Sequence, residues 1–376
     1  MGKLCHRRGG RRPSLSPAKF DGSRSSLPGL VACRPGSAAR KNRKAGERMS
    51  GYVFPAECDL KRFRDTLPPV RDWVIEGMEP GDVGIVSAPG GTGKSMLCLS
   101  IGLAVASAQP LFGQWKVGSI PGDVVYIFEE DSETTLHHRM HALSRFAHPT
   151  DDELGRLHAI CVRSRPPKLM LQGTQGLAQR QKDEVGALLA LLDSLPNPRL
   201  LILDPLLKFH TLDENSNNEM NQLMELMGQI AERAGVAVIL VHHTAKGKSN
   251  GNTDSEHQEA ARGASAIINE ARWQASLRGI GAKTAKKWGL DEDQARRYLW
   301  LTLPKRNNVG HLDDILLERG FGGVLMGVGQ STPSNESSHL DDAAKKRFQH
   351  QEDNDDDQQE TQEDQDGQNQ KVPSWL

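Results

Sequence analysis

The sequence predicts an α/β fold with a mainly parallel central sheet and a more antiparallel edge toward its carboxyl end. Apolar runs rich in Val, Ile and Leu alternate with helical patterns through the middle of the chain, which is typical of strand–helix–strand units. The first run, Val83–Ala88, leads through a Gly-rich turn into an apolar helical segment. A strand that enters a helix in this way is the usual frame of a phosphate-binding loop.

The individual elements follow from local periodicity. Strands are predicted where apolar residues stand together between turn residues, at 83–88, 124–128, 200–204 and 236–241. Helices are predicted where helix-forming residues follow a helical pattern, at 94–108, 133–146, 183–195 and 218–235, with Gly235 as a C-terminal cap. The later segments "ARWQASL", "RYLWLTLPK" and "GGVLMGV" predict the strands of the antiparallel edge.

Charge divides the chain into three parts. Residues 1–48 carry 13 Lys/Arg and 2 Asp/Glu, a net charge of +11, and residues 331–376 carry 4 basic and 12 acidic residues, a net charge of −8. Both ends are predicted to be disordered, which leaves 49–330 as one globular domain. The head is either a basic arm for nucleic acid or a mis-assigned extension before a start at Met49. The tail either docks on a partner or acts only as a solubilising segment.

The remaining composition argues against several classes of protein. The five cysteines are scattered without a C-x-x-C pair, so neither a zinc knuckle nor a redox dithiol is predicted. His137 and His141 have metal-binding spacing, but no further cysteine or carboxylate set supports zinc. No run approaches the length of a transmembrane helix. We therefore expect a cytoplasmic protein without a membrane partner.

The segment "SAPGGTGKS", residues 87–95, is the phosphate-binding loop. Its glycines let backbone N–H groups approach phosphate oxygens, and the following helix adds partial positive charge at its N terminus. Lys94 is predicted to reach the β- and γ-phosphates and Ser95 to ligate Mg²⁺. Ala88 departs from the motif, which has glycine there. The predicted cofactors are thus ATP and Mg²⁺, and the predicted nucleotide-binding residues of the loop are Pro89, Gly90, Gly91, Thr92, Gly93, Lys94 and Ser95.

Polar residues follow three of the predicted strands. Asp204 ends one strand and is predicted to hold Mg²⁺ through water, and the carboxylates Glu129, Glu130 and Asp131 at the end of another are candidates for activating water. Because side chains alternate along a strand, Glu129 and Glu130 are predicted to point in opposite directions. His242 and His243 end a third strand, where a polar sensor of the γ-phosphate is favoured over a metal site.

A long Gly/Ser/Asn-rich loop follows these histidines, at residues 246–258. Its Lys246 and Lys248 are candidates for contacts with nucleic-acid phosphates. A plain flexible connection is the alternative.

Six segments in this order resemble a known family: "SAPGGTGKS", "VVYIFEEDSETTLHHRMHAL", "LLILDPLLKFH", "ILVHHTAKG", "ARGASAIINEARWQASL" and "PKRNNVG". Together they resemble the RepA-type hexameric replicative DNA helicases of plasmids, within the RecA/DnaB-like P-loop ATPases. The resemblance spans roughly residues 70–328. It implies a RecA-like core, a homohexameric ring and ATP-driven movement along single-stranded DNA. A primase or an origin-binding protein is a further partner to consider.

The resemblance also implies roles for individual residues. Glu130 is similar to the residue that activates water, Asp204 to the metal-side acid, and His243 to the sensor at the strand end. Arg139 resembles an arginine near the nucleotide.

Three further arginines are implied to act between subunits or on DNA. Arg272 matches the arginine finger that enters the neighbouring subunit's site. Arg306, next to Lys305, is a second candidate for that trans-acting role. Arg262 is a candidate for contact with DNA or with a neighbouring subunit.

Three alternatives share the same loop. A RecA-like regulatory ATPase would bind DNA without unwinding it. A small-molecule kinase would need a substrate lid, and the sequence has no Arg-rich lid segment. A degenerate, non-hydrolysing ring is disfavoured because Lys94, Glu130 and Asp204 are all present.

Overall fold

The computed structural model describes residues 56–173, 178–243, 265–306, 309–310 and 312–328. The predicted head (1–48), the predicted tail (331–376), the loop 246–258 and Arg262 lie outside the described residues.

The strands follow one another along the chain as β1 (Val83–Ala88), β2 (Asp123–Phe128), β3 (Leu157–Cys161), β4 (Met170–Leu171), β5 (Gln179–Arg180), β6 (Pro198–Asp204), β7 (Ala237–His243), β8 (Trp273–Gly279), β9 (Tyr298–Lys305), β10 (Ile315–Arg319) and β11 (Leu325–Gly327). Within the described residues, nine of them form one sheet in the order β11-β10-β9-β8-β1-β7-β6-β2-β3. Pairing is parallel from β3 to β8 and antiparallel from β8 to β11. The predicted RecA-like α/β fold with an antiparallel edge is confirmed. The remaining two strands, β4 and β5, form a separate antiparallel pair.

The helices of the described residues are α1 (Leu60–Asp65), α2 (Lys94–Ser107), α3 (Glu133–Ala147), α4 (Asp151–Gly155), α5 (Lys182–Asp193), α6 (Asn217–Ala234), α7 (Ser265–Glu270), α8 (Ala282–Lys287) and α9 (Glu292–Ala295). Short 3₁₀ turns occupy Leu206–Phe209 and Phe321–Gly323. Gly235 ends α6 in the left-handed conformation, as predicted. Among these described helices, none has both the length and the apolarity needed to cross a bilayer.

Both faces of the parallel part of the sheet are covered. Every residue of β1 and β2 is buried, which explains why these strands read as continuous apolar runs rather than as alternating patterns. Val86 and Ala88 belong to the core on the face that holds α2. Val83 and Ile85 belong to the core on the face that holds α5 and α6.

Helix α2 is buried around nearly its whole circumference. Twelve of its 14 residues are buried, among them Lys94 at its first position. Gly102 lets the helix lie close to the sheet, since a Cβ there would come 2.9 Å from Leu157 Cδ1. The start of α2, and with it the phosphate-binding loop, is therefore fixed by core packing.

Helix α1 belongs to the segment before the sheet. Asp59 caps it by accepting hydrogen bonds from the backbone N–H groups of Lys61 and Arg62. None of its residues is buried, and Leu60 and Phe63 are exposed.

Two glycines test the packing in opposite directions. A Cβ on Gly84 would lie 2.9 Å from Cε3 of the fully buried Trp273 ring, so Gly84→Ala should lower the free energy of unfolding by about 1–3 kcal/mol. Gly186 is exposed within α5 with open space around it, so Gly186→Ala should raise that free energy by about 0.5–1 kcal/mol. Urea unfolding of both variants beside the unchanged protein measures the two effects. Changes of the same sign in both variants would contradict the packing described.

Candidate nucleotide-binding site

The carboxyl ends of four parallel strands meet at one edge of the sheet. Ala88 at the end of β1 lies opposite His243 of β7, and Phe128 at the end of β2 lies opposite Asp204 of β6. Strands β6 and β7 are themselves neighbours. Ligands of open α/β sheets bind at this edge. The strand order therefore brings the predicted loop, Glu130, Asp204 and His243 to one place.

The phosphate-binding loop has the backbone that its glycines allow. Gly91 and Gly93 have φ values of +76° and +105°, in the left-handed region that favours glycine. Thr92 closes the turn by donating its hydroxyl to the Pro89 carbonyl at 2.8 Å. Among the described side chains, none caps the N terminus of α2, so its first backbone N–H groups remain available to an anion.

Lys94 is buried within the loop. Its Nζ donates to the carbonyl oxygens of Ala88 and Pro89, each at 3.1 Å. Burial lowers the pKa of Lys94, and the nearby carboxylates of Asp204 and Glu130 act in the opposite direction. The cationic form of this side chain would thus be favoured by further negative charge in the loop.

Asp204 forms a buried polar cluster with Tyr126 and Ser95. The Tyr126 hydroxyl donates to Asp204 Oδ2 at 2.7 Å, and the Ser95 side chain lies close enough to this carboxylate to lower its pKa. Burial raises the pKa of Asp204, while the Tyr126 hydroxyl and the Ser95 side chain lower it. A hydroxyl and a carboxylate side by side are hard oxygen donors, the type that Mg²⁺ takes.

These donors fit a metal that is bound together with a nucleotide. Among the described residues, no group of three or more His, Cys, Asp or Glu side chains could hold a metal ion by itself. A Mg²⁺ at Ser95 and Asp204 would therefore take its other ligands from phosphate oxygens and water.

Glu129 and Glu130, the adjacent acids in the bend after β2, have different partners. Glu130 Oε1 lies 3.2 Å from His243 Nε2, while Glu129 Oε2 lies 3.1 Å from Lys208 Nζ. The Glu130 side chain is 50% exposed and that of Glu129 only 14%, so Glu130 is the acid that can reach a water molecule. The contact between Glu130 and His243 lacks hydrogen-bond alignment, and His243 Nε2 has no hydrogen-bond partner among the described residues.

Burial favours the neutral form of His242 and His210 beside the site. Burial lowers the pKa of His242, and the electrostatic influence of His243 and Lys94 lowers it further. Burial also lowers the pKa of His210 to about 4, helped by Lys168 and His242. His210 Nδ1 accepts a hydrogen bond from the Leu212 N–H at 3.1 Å. These side chains act as neutral polar groups beside the site.

Arg139 lies on α3, which begins directly after the acids that follow β2. Ser132 caps this helix by accepting a hydrogen bond from the Thr135 N–H. Arg139 forms an ion pair with Asp131. This contact holds its guanidinium near the carboxyl edge of the sheet.

Arg272 and Arg306 lie level with the amino ends of the parallel strands, away from the phosphate-binding loop. The Arg272 N–H donates to the Val83 carbonyl at 2.8 Å, at the amino end of β1. Val83 and Ala88 are five residue steps apart, which is about 17 Å along a strand. Arg306 directly follows β9, which runs antiparallel to β8. Neither arginine is placed to complete the loop of its own chain.

Lys305 is held by a helix end. Its Nζ donates to the carbonyl oxygens of Ile268 and Asn269, at 3.1 and 2.5 Å, in the last turn of α7. Arg306 Nε donates to the Gly310 carbonyl at 2.9 Å. Arg272 is exposed and is thus the most accessible of these three side chains.

Sequence reasoning missed three residues of this edge. Tyr126 read as one more apolar strand residue, although its hydroxyl needs a partner when buried. Nothing in the local sequence distinguishes Lys208 or Arg319 from ordinary surface charges. Lys208 pairs with Glu129, and Arg319 Nη2 donates to the Thr92 carbonyl of the loop at 2.8 Å.

The RecA-like fold and the phosphate-binding loop at the carboxyl edge of its sheet define a P-loop ATPase. A family model described as an AAA domain (AAA_25) matches residues 55–249, more than half of the 376 residues. The chain belongs to this AAA domain family.

Two solved structures match part of this chain. The RadB recombinase is 14% identical with a TM-score of 0.41, and the match covers 67% of this chain and 93% of that one. A second structure, described as the ATPase domain of another protein, is 10% identical with a TM-score of 0.43, and the match covers 67% of this chain and 86% of that one. Neither match indicates an activity for this chain. The fold is defined by the strand order itself.

The hydrogen bond from Tyr126 to Asp204 predicts a defect in metal use. Tyr126→Phe keeps the ring that stacks on Phe128 but removes the donor, so the pKa of Asp204 should rise further. The Mg²⁺ concentration for half-maximal ATP hydrolysis should increase about tenfold, as for a lost hydrogen bond to a charged group. The increase should be larger at acidic pH, where protons compete for the carboxylate. Titration of Mg²⁺ at several pH values measures this, and an unchanged requirement would contradict the role given to Tyr126.

Proposed function

We propose that this protein is an ATP-dependent replicative DNA helicase, a homohexameric ring that moves along single-stranded DNA and serves plasmid replication. The observation that carries the proposal is the division of the predicted site residues between two edges of the sheet. The loop, Glu130, Asp204 and His243 lie at one edge, and Arg272 lies at the other. A site divided in this way is completed by a second copy of the chain.

The residues of one subunit then have distinct tasks. Lys94 and the loop N–H groups bind the phosphates, with Arg139 beside the nucleotide. Ser95 and Asp204 hold Mg²⁺, which when bound neutralises phosphate charge. Glu130 takes the proton of the attacking water, and His243 next to it responds to the state of the γ-phosphate.

Two further tasks lie between subunits and on DNA. Arg272 of a neighbouring copy stabilises negative charge in the transition state, with Arg306 second. Lys246, Lys248 and Arg262 are proposed to contact DNA phosphates. Because only Thr244 and Ala245 separate His243 from the loop that carries the two lysines, we infer that nucleotide state and DNA binding are coupled through this strand end.

The first test is ATP hydrolysis by the full chain with and without single-stranded DNA. DNA should stimulate hydrolysis. Lys94→Ala should reduce it by about 10²–10³-fold, as for loss of a group that stabilises transition-state charge. The exposed Lys283 on α8 gives the matched control, since Lys283→Ala should leave the rate unchanged. Strand displacement on a forked duplex then tests unwinding.

The possible results separate the alternatives. Hydrolysis that ignores DNA would count against a translocating ring. DNA-stimulated hydrolysis without strand displacement would favour a regulatory ATPase.

The second test addresses the division of the site between subunits. Arg272→Ala should lower hydrolysis by about 10³–10⁵-fold, the worth of an arginine finger. Mixed one to one with Lys94→Ala, it should regain activity, because some interfaces then join an intact loop to an intact arginine. With random assembly in a cyclic ring, about one quarter of interfaces qualify.

A doubly substituted Lys94→Ala, Arg272→Ala chain is the control for this mixture. Combined with either single variant it should restore nothing, because no interface then carries both groups. Activity of the first mixture that equals only the sum of its parts would place Arg272 outside the site.

A further inference from the structure

Arg319 lies at the same edge of the sheet as the phosphate-binding loop. Strand β10 is antiparallel to β9, β9 is antiparallel to β8, and β8 is parallel to β1. Strands β10 and β1 therefore run in the same direction, and both end at this edge. Arg319 is the last residue of β10.

The Arg319 side chain contacts the loop directly. Its Nη2 donates to the Thr92 carbonyl at 2.8 Å. The same atom would lie 3.8 Å from a Cβ placed on Gly93. The guanidinium is thus beside the two residues that precede Lys94.

No carboxylate among the described residues forms an ion pair with Arg319. The adjacent acid, Glu318, pairs with Arg297 at 2.8 Å. Arg319 is half-buried, and a partly desolvated cation is stabilised by an opposite charge nearby. The loop that it contacts is the place where phosphate oxygens would supply that charge.

The backbone of Arg319 is held on both sides. Its N–H donates to the Arg297 carbonyl at 2.7 Å, and it lies opposite Leu325 in the β10–β11 pair. The guanidinium is therefore presented by paired strands rather than by a loose loop, and its position relative to Thr92 is defined.

We propose that Arg319 is a further positioning residue of the nucleotide site, and that it acts within its own subunit. It holds the phosphate-binding loop through Thr92 and adds positive charge beside the bound phosphates. This inference rests on the proposed ATPase function and deepens it. It also joins the loop to the β9–β10 pair, whose other end carries Lys305 and Arg306.

The test measures binding of a fluorescent ATP analogue and the steady-state kcat and KM of ATP hydrolysis, on the full chain. Arg319→Ala should raise the Kd and KM for ATP about tenfold, the loss of one charge-assisted hydrogen bond, with a smaller change in kcat. Arg319→Lys should recover part of the affinity, because it keeps the charge but not the fork of donors. The exposed Arg296 on the surface provides the matched control, and Arg296→Ala should bind as the unchanged protein does.

The outcomes separate this inference from the proposed function. If Lys94→Ala loses binding but Arg319→Ala keeps the normal Kd, the inference is overturned and the ATPase stands. If the unchanged protein binds no ATP analogue, both fall.

A purely structural role would lower the melting temperature of Arg319→Ala and Arg319→Lys without changing the Kd. If Arg319→Ala does not fold, Arg319→Gln replaces it, since glutamine keeps a donor without the charge. A normal Kd for both the Gln and Lys variants would again overturn the inference.

Discussion

The burial of α2 against the sheet fixes the position of the phosphate-binding loop, and the other polar groups of the site are arranged around this loop. Lys94 and Ser95 are the first residues of a helix that is surrounded by core. A helix held in this way cannot shift by a fraction of a turn without opening cavities, which interiors resist. Burial also raises the pKa of Cys98, one turn further on, well above its ordinary value. That thiol therefore stays neutral and adds no charge beneath the loop.

The same burial sets the electrostatics of the site. It lowers the pKa of Lys94 and raises that of Asp204, so both groups are disfavoured in their charged forms. Phosphate favours the charged lysine and a divalent cation favours the charged aspartate. A nucleotide bound together with its metal would stabilise the charged forms of Lys94 and Asp204 at once. Binding of the nucleotide and metal together would therefore be favoured over binding of either alone. Glu130 differs because it is half-exposed, which suits the proton exchange with water that we propose for it.

The sequence predicts most of this architecture because local patterns carry it. Apolar runs locate β1, β2, β6 and β7, and the Gly-rich turn locates the loop, since each depends on neighbours along the chain. The partners of Tyr126 and Arg319 depend on which strands lie side by side and in which direction. The local pattern of "LLERG" does not predict that β10 ends beside the loop that follows β1. From the sequence alone, Arg319 therefore cannot be distinguished from a surface charge. The domain boundaries at residues 49 and 330 stay predictions.

Because of the antiparallel strands, basic residues also lie at the end of the sheet that faces away from the phosphate-binding loop. Parallel strands alone would bring every carboxyl-end residue to the nucleotide edge. Reversal at β9 instead carries Lys305 and Arg306 away from it, to the level of Arg272, and β10 then returns to place Arg319 at the loop. The paired strands β9 and β10 thus extend from the phosphate-binding loop to the opposite end of the sheet. In the proposed ring, a displacement of Arg306 by a neighbouring copy would be passed along β9 and β10 toward Thr92, because paired strands are stiff along their length. Strands β9 and β10 would therefore be the element best placed to connect one nucleotide site of the proposed ring with the next.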